Sequence, residues 1–200
     1  MRQLGIVKLL PFVLFGAFAI SASAENKPKF IENKGQYPAQ VAFKLKVANA
    51  DLYFEKNQLL FNFYSPQFTE HDHSGHKHES VLGHSYQIKF KDADTEAKVV
   101  SDGPSHFDYT NYITSEYQIG KVRSFEAIKY QGVYDGVDIR YYGLGGQLKY
   151  DVFIKPGKDA AQIKMVYEGI DKLSLKNGKL IVKNSFNTVE EFIPLAYQMI

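Results

Sequence analysis

Four histidines fall within eight residues: His71, His73, His76 and His78, in the run TEHDHSGHKHES. Imidazoles at that density can chelate Zn, Cu or Ni ions. The spacing lacks the H-x-x-x-H of a helical zinc site and the fixed intervals of a zinc finger. Ser-Gly lies at its centre and no apolar residue interrupts it, so residues 68–82 read as a solvated, mobile His-rich loop. Three readings stay open there: a defined metal site at His71, His73, His76 and His78, adventitious Zn, Cu or Ni affinity, or a spacer.

Carboxylates are the second source of chemistry. A glycosidase needs two of them about 5 to 9 Å apart across the scissile bond. Asp135 and Asp138 flank Gly136, and Glu190-Glu191 lies near the end of the chain. Each has a structural reason to be present. Asp135-Gly136 is a turn pair, Asp138 belongs to the polar face of a strand beside Arg140, and Glu190-Glu191 alternates across a strand. There is no cysteine and no G-x-S-x-G to supply a nucleophile. Gly143-Leu144-Gly145-Gly146 lacks the helix and Lys-Ser/Thr of a phosphate loop. The expectation is therefore a chain with no catalytic residues and no cofactor of its own.

The elements around these residues read as strands. Gln131 to Gly157 forms one long hairpin turning at Gly145-Gly146, because primed two-residue turns need positive φ. That turn sets Tyr141 opposite Tyr150, Ile139 opposite Val152 and Val137 opposite Ile154, giving one apolar face. Arg140 and Asp151 then meet on the other face as a cross-strand ion pair. A one-residue slip would mix the faces. A second hairpin turns at Lys56-Asn57, with Phe54 facing Leu59 and Leu52 facing Phe61. A third turns at Asn177-Gly178, with Leu175 facing Leu180 and Leu173 facing Val182. Val41 to Val47 and His84 to Phe90 alternate as half-buried strands. Ala97 to Val100 is a short strand ending before Asp102-Gly103-Pro104, Asp159 caps one helical turn, and Pro194 starts a new segment.

His106 to Tyr117 is aromatic-rich, with Phe107, Tyr109, Tyr112 and Tyr117. Such a run can line a surface groove, as in carbohydrate binders. Packing beneath a loop is the expectation, since exposed aromatics are the exception.

Residues 1–24 have the composition of a secretory signal peptide: Arg2 and Lys8, an apolar stretch from Leu9 to Ile20, and Ala22-Ser23-Ala24 as a small-residue cleavage site. Cleavage would leave a β-rich domain over 25–200 with equal numbers of basic and acidic residues. That balance offers nothing to nucleic acid or an anionic membrane. No later stretch is apolar enough for a transmembrane helix. An exported chain without cysteine must be held by a packed core. The sequence implies a periplasmic, cell-surface or secreted location.

Three segments together, FIENKGQYPAQVAFK, YDGVDIRYYGLGGQLKYDVFIKPG and IKMVYEG-x-DKLSLKNGKLIVK, are similar to a domain of unknown function in Bacteroidota. In that family the domain stands at the N-terminus of secreted or cell-surface proteins. SBBP β-propeller-type repeats, PKD-like modules and a type IX secretion sorting domain commonly follow it. The resemblance implies an extracytoplasmic β module and no reaction, and against it this chain looks like a C-terminally truncated copy. Together these readings predict an all-β fold, an antiparallel β-sandwich-like domain built of successive hairpins and incomplete at the C-terminus. The expected role is non-catalytic, a scaffold or adhesion element whose partners are downstream modules or cell-surface proteins and glycans. The alternatives are a polysaccharide-acting hydrolase fragment and a periplasmic metal-binding protein.

Overall fold

The computed structural model describes residues 12–21, 28–47, 49–64 and 82–198, with backbone alone for 12–21, 193–195 and 197–198. These residues form fourteen strands, all paired antiparallel. In chain order they are β1 (Phe12–Ser21), β2 (Phe30–Glu32), β3 (Val41–Val47), β4 (Ala50–Glu55), β5 (Gln58–Tyr64), β6 (Gly83–Phe90), β7 (Lys98–Ile113), β8 (Gln118–Tyr134), β9 (Val137–Leu144), β10 (Gln147–Ile154), β11 (Met165–Glu168), β12 (Lys172–Lys176), β13 (Lys179–Lys183) and β14 (Thr188–Gln198). One 3-10 turn, Ala160–Gln162, is capped by Asp159, whose carboxylate accepts from the Ala161 amide. The fold is all-β, as the alternating pattern requires.

The strand order is β11-β6-β5-β4-β3-β2-β8-β9-β10-β1-β14-β13-β12, with β7 added to β8. A curled nine-stranded sheet runs from β11 to β10, and a small sheet of β14, β13 and β12 follows. β1 joins the two, antiparallel to β10 on one side and to β14 on the other. The curl brings distant strands together. Tyr150 on β10 and Tyr167 on β11 both donate to Glu191 on β14, and Val182 and Val189 share one core with Phe61 and Tyr86. The result is a sandwich-like half-barrel.

Turn chemistry fixes the registers. Gly145 and Gly146 both have positive φ, and β9 pairs β10 with Tyr141 opposite Tyr150, Ile139 opposite Val152 and Val137 opposite Ile154. All six are buried. The turns at Lys56-Asn57 and Asn177-Gly178 likewise give the expected partners, Phe54 with Leu59 and Leu175 with Leu180. The core is largely aromatic: Phe61 stacks on Tyr86 at 4.7 Å, and Phe30, Phe54, Tyr141 and Tyr150 form a chain of edge-on or tilted contacts at 5.4 to 5.6 Å. Each buried ring contributes roughly 1.5–3 kcal/mol through burial, which is how a domain without disulfides holds together.

Four local expectations are corrected. Arg140 and Asp151 do stand opposite each other, but Arg140 pairs with Asp102 at 2.5 Å. β7 lies against β8 and brings Asp102 level with Ala127, a side chain small enough for the guanidinium to reach across. Asp151 is buried and accepts from the Tyr142 hydroxyl at 3.0 Å. The strand begun at Lys98 does not end at Gly103-Pro104: β7 continues to Ile113, with its register shifted between Asp102 and Ser105 and Gly103 at positive φ. β14 runs through Pro194, which sits where two residues of β14, Ile193 and Pro194, stand against one of β1, Gly16, a bulge that tolerates the missing N–H. The aromatic run is not packed beneath a loop: Phe107 and Tyr109 are exposed.

Candidate functional site

Among the described residues β7 and β8 form the longest hairpin, and its outer half stands apart from the sheet. β9 pairs with β8 only from Ala127 onward, and β2 touches it only at Ser124 and Phe125. From Tyr109 to Val122 the two strands have each other as ladder partners. One side of this arm rests on the entry segment. The Tyr37 and Tyr112 hydroxyls lie 3.0 Å apart, Lys34 donates to the Lys121 carbonyl at 2.9 Å, and Lys29 pairs with Asp108 at 2.5 Å. The arm is thus held in place, yet it carries uncovered apolar groups. Phe107 is fully exposed, Tyr109 is 58% exposed and Ile113 71%. Lys121 adopts φ 56° while its amide donates to the Asn111 side chain, marking a bulge that twists the arm.

An open cleft of about 370 Å³ lies beside the β8–β9 turn, lined by Asp92, Asp94, Tyr134, Asp135, Gln162 and Lys164. The Tyr134 hydroxyl donates to the Lys164 carbonyl at 2.8 Å and accepts from the Lys164 amide at 3.2 Å. Asp94 caps a turn by accepting from the Glu96 amide. Asp135 pairs with Lys158 at 2.6 Å, and Asp92 with Lys164 at 3.8 Å. The carboxylates that line the cleft all have partners. Among the described residues no three His, Cys, Asp or Glu side chains are placed to hold a metal ion.

The remaining carboxylates serve the framework. Asp138 accepts from the Gly132 amide at 2.8 Å, satisfying the donor freed where β8 slips register against β9. Glu190 pairs with Lys179 at 2.7 Å. Glu191 is 6% exposed and receives the Tyr150 hydroxyl at 2.5 Å together with that of Tyr167. Burial pushes the Glu191 carboxyl above its usual range, and the two tyrosine donors only partly offset this. The Tyr86 hydroxyl, also buried, has no partner, and the charge of Glu191 reaches it.

A serine and a histidine do meet, although no sequence motif announces them. Ser185, in the turn between β13 and β14, lies 2.8 Å from His84 Nδ1. His84 Nε2 donates to the Gly169 carbonyl at 2.7 Å, so in the neutral ring Nδ1 accepts from the serine hydroxyl. This histidine ties β6 to the turns after β11 and β13. His71, His73, His76 and His78 lie outside the described residues.

The fold and these sites define a curled antiparallel β module with an exposed aromatic arm. The model of a domain of unknown function, DUF7948, matches residues 30–200, and the chain belongs to that family. No curated protein matches the chain. No solved structure matches it. No helix among the described residues is long and apolar enough to cross a membrane.

Proposed function

We propose that this chain is a non-catalytic interaction module of an exported protein, and that the β7–β8 arm is the surface it presents. One observation carries the reading: Phe107, Tyr109 and Ile113 are exposed together on a hairpin that Tyr37, Lys34 and Lys29 hold in place. Leaving such groups uncovered forgoes roughly 25 cal/mol per Å² of apolar surface, and a partner recovers it. Exposed aromatic rings suit a cell-surface glycan or protein, because their faces stack on the apolar faces of sugars and side chains. The leader-like N-terminus supports an extracytoplasmic location, periplasmic, cell-surface or secreted. The Bacteroidota context, with following SBBP repeats and a type IX sorting domain, belongs to the same reading.

The test is binding of the labelled chain to immobilised polysaccharides and to bacterial cells, compared with a Phe107→Ser/Tyr109→Ser variant. A loss of tenfold or more in the variant is expected, with its melting temperature unchanged. Equal binding by the two proteins would remove the arm from the function.

A further inference from the structure

The leader-like segment has a second property. Its apolar residues Phe12–Ser21 are the strand that joins the two sheets. Eight residues of β1 stand opposite β10, from Phe12–Ile154 to Ser21–Gln147, and six stand opposite β14, from Phe12–Gln198 to Phe18–Glu191. β10 and β14 are both antiparallel to β1 and therefore parallel to each other. Two strands separated by one missing strand lie about 10 Å apart. Closing that gap directly would also put one parallel pair into a sheet that is otherwise antiparallel. The gap therefore calls for a third strand of opposite direction. Without one, two rows of backbone N–H and C=O groups lose their partners beside a buried core that includes Tyr150, Val152 and Glu191.

β1 also fits less regularly than its neighbours. Its ladder with β10 shifts between Phe18 and Ser21, and its ladder with β14 between Phe15 and Ala17. The β9–β10, β12–β13 and β13–β14 ladders have no shift. The strand carries no charged residue, has a glycine at its middle, and is followed in sequence by the small-residue run Ala22-Ser23-Ala24. Glycine weakens a strand interior.

We propose that the gap between β10 and β14 is a strand-acceptor site. Phe12–Ser21 fills it in the intact chain, and after this segment is cut away the site takes an extended, uncharged, apolar strand of about ten residues from a second polypeptide, running antiparallel to both walls. Backbone pairing on two sides supplies the affinity, as in strand addition generally.

The test uses the full chain with a protease site inserted between Ala24 and Glu25, the uncut protein serving as the folded control. The probe is a fluorescent synthetic peptide of sequence FVLFGAFAIS with terminal lysines for solubility. A second probe carries Val13→Pro and Leu14→Pro. Adjacent residues direct their N–H groups to opposite neighbours, so this pair removes one donor toward each wall. After cutting, the first probe should replace the leader fragment at one per chain and restore slow amide exchange in β10 and β14 to that of the uncut protein. The proline probe should bind at least tenfold more weakly. Should the cut chain unfold on losing the leader, refolding on addition of the first probe alone supports the proposal, and failure to refold overturns it. Slow exchange in β10 and β14 with the leader gone and no probe bound would show that the gap closes by itself. The same protection in a dimer without probe would assign the site to a second copy. Either result overturns the assignment to a separate donor strand.

Discussion

Glu191 is where the closure of the curled sheet can be measured. Its carboxylate accepts from Tyr150 on β10 and Tyr167 on β11. Glu191→Ala strips both buried hydroxyls of their acceptor. At about 1–3 kcal/mol for the Tyr167 hydroxyl left without this acceptor and about 0.5–1.5 kcal/mol for the hydrogen bond Tyr150 loses, the loss is about 1.5–4.5 kcal/mol. Glu191→Gln keeps the shape and an acceptor but removes the charge, so it isolates the effect of ionisation. The Glu191 carboxyl is raised in the folded chain because it is buried. Below the ordinary glutamate value of about 4.3 it is protonated in both states, and its contribution is fully present. Above that value the unfolded chain gives up the proton first. Stability then falls, by at most about 1.4 kcal/mol per pH unit, until the raised folded value is passed. Asp151, raised chiefly by burial, pulls the same way, while exposed Asp108 and Glu168 are lowered by lysine partners and pull the other way. Comparing wild type with Glu191→Gln cancels these three. Urea unfolding across a pH series should show the two proteins closest below about pH 4, with wild type losing ground to the variant as pH rises. A difference that does not change with pH, or a Glu191→Ala cost below about 1 kcal/mol, would refute the closure described for this carboxylate.

Other substitutions test the framework and the arm. Asp138→Ala should cost about 1 kcal/mol in urea unfolding, because the Gly132 amide loses its acceptor; a catalytic Asp138 could be replaced with no loss of stability. Gly178→Val should destabilise by about 1–2 kcal/mol in thermal unfolding, since φ is 71° there and an L side chain is strained in that region. Lys121→Gly should raise stability by up to about 1 kcal/mol by relieving φ 56° at the bulge. Phe107→Ser/Tyr109→Ser should leave stability within about 0.5 kcal/mol of wild type, as both side chains are exposed.

The hairpins were legible because turn chemistry and alternation agree. Gly145-Gly146 and Asn177-Gly178 define their registers, and the residues they set opposite one another are apolar. What was hidden arises between elements far apart in sequence. Nothing near Arg140 points to Asp102, because that pair depends on β7 lying beside β8. Glu191 gives no local sign of burial, because Glu190-Glu191 alternates in any register and only the curl of the sheet delivers Tyr150 and Tyr167. His84 and Ser185 meet for the same reason. The aromatic run was visible as composition, but its exposure was not. Whether Phe107 and Tyr109 are covered depends on how far the β7–β8 hairpin extends past its neighbours, and the breaker pair Gly103-Pro104 suggested an end where the chain forms a bulge and continues.

Whether the β7–β8 arm is a binding surface is decided most directly by a binding comparison. Labelled wild-type chain and the Phe107→Ser/Tyr109→Ser variant, matched in melting temperature, are titrated onto bacterial cells and immobilised polysaccharides. Wild type should bind saturably, and the variant should bind at least tenfold more weakly. Indistinguishable titrations, or no binding by either protein, would contradict that expectation.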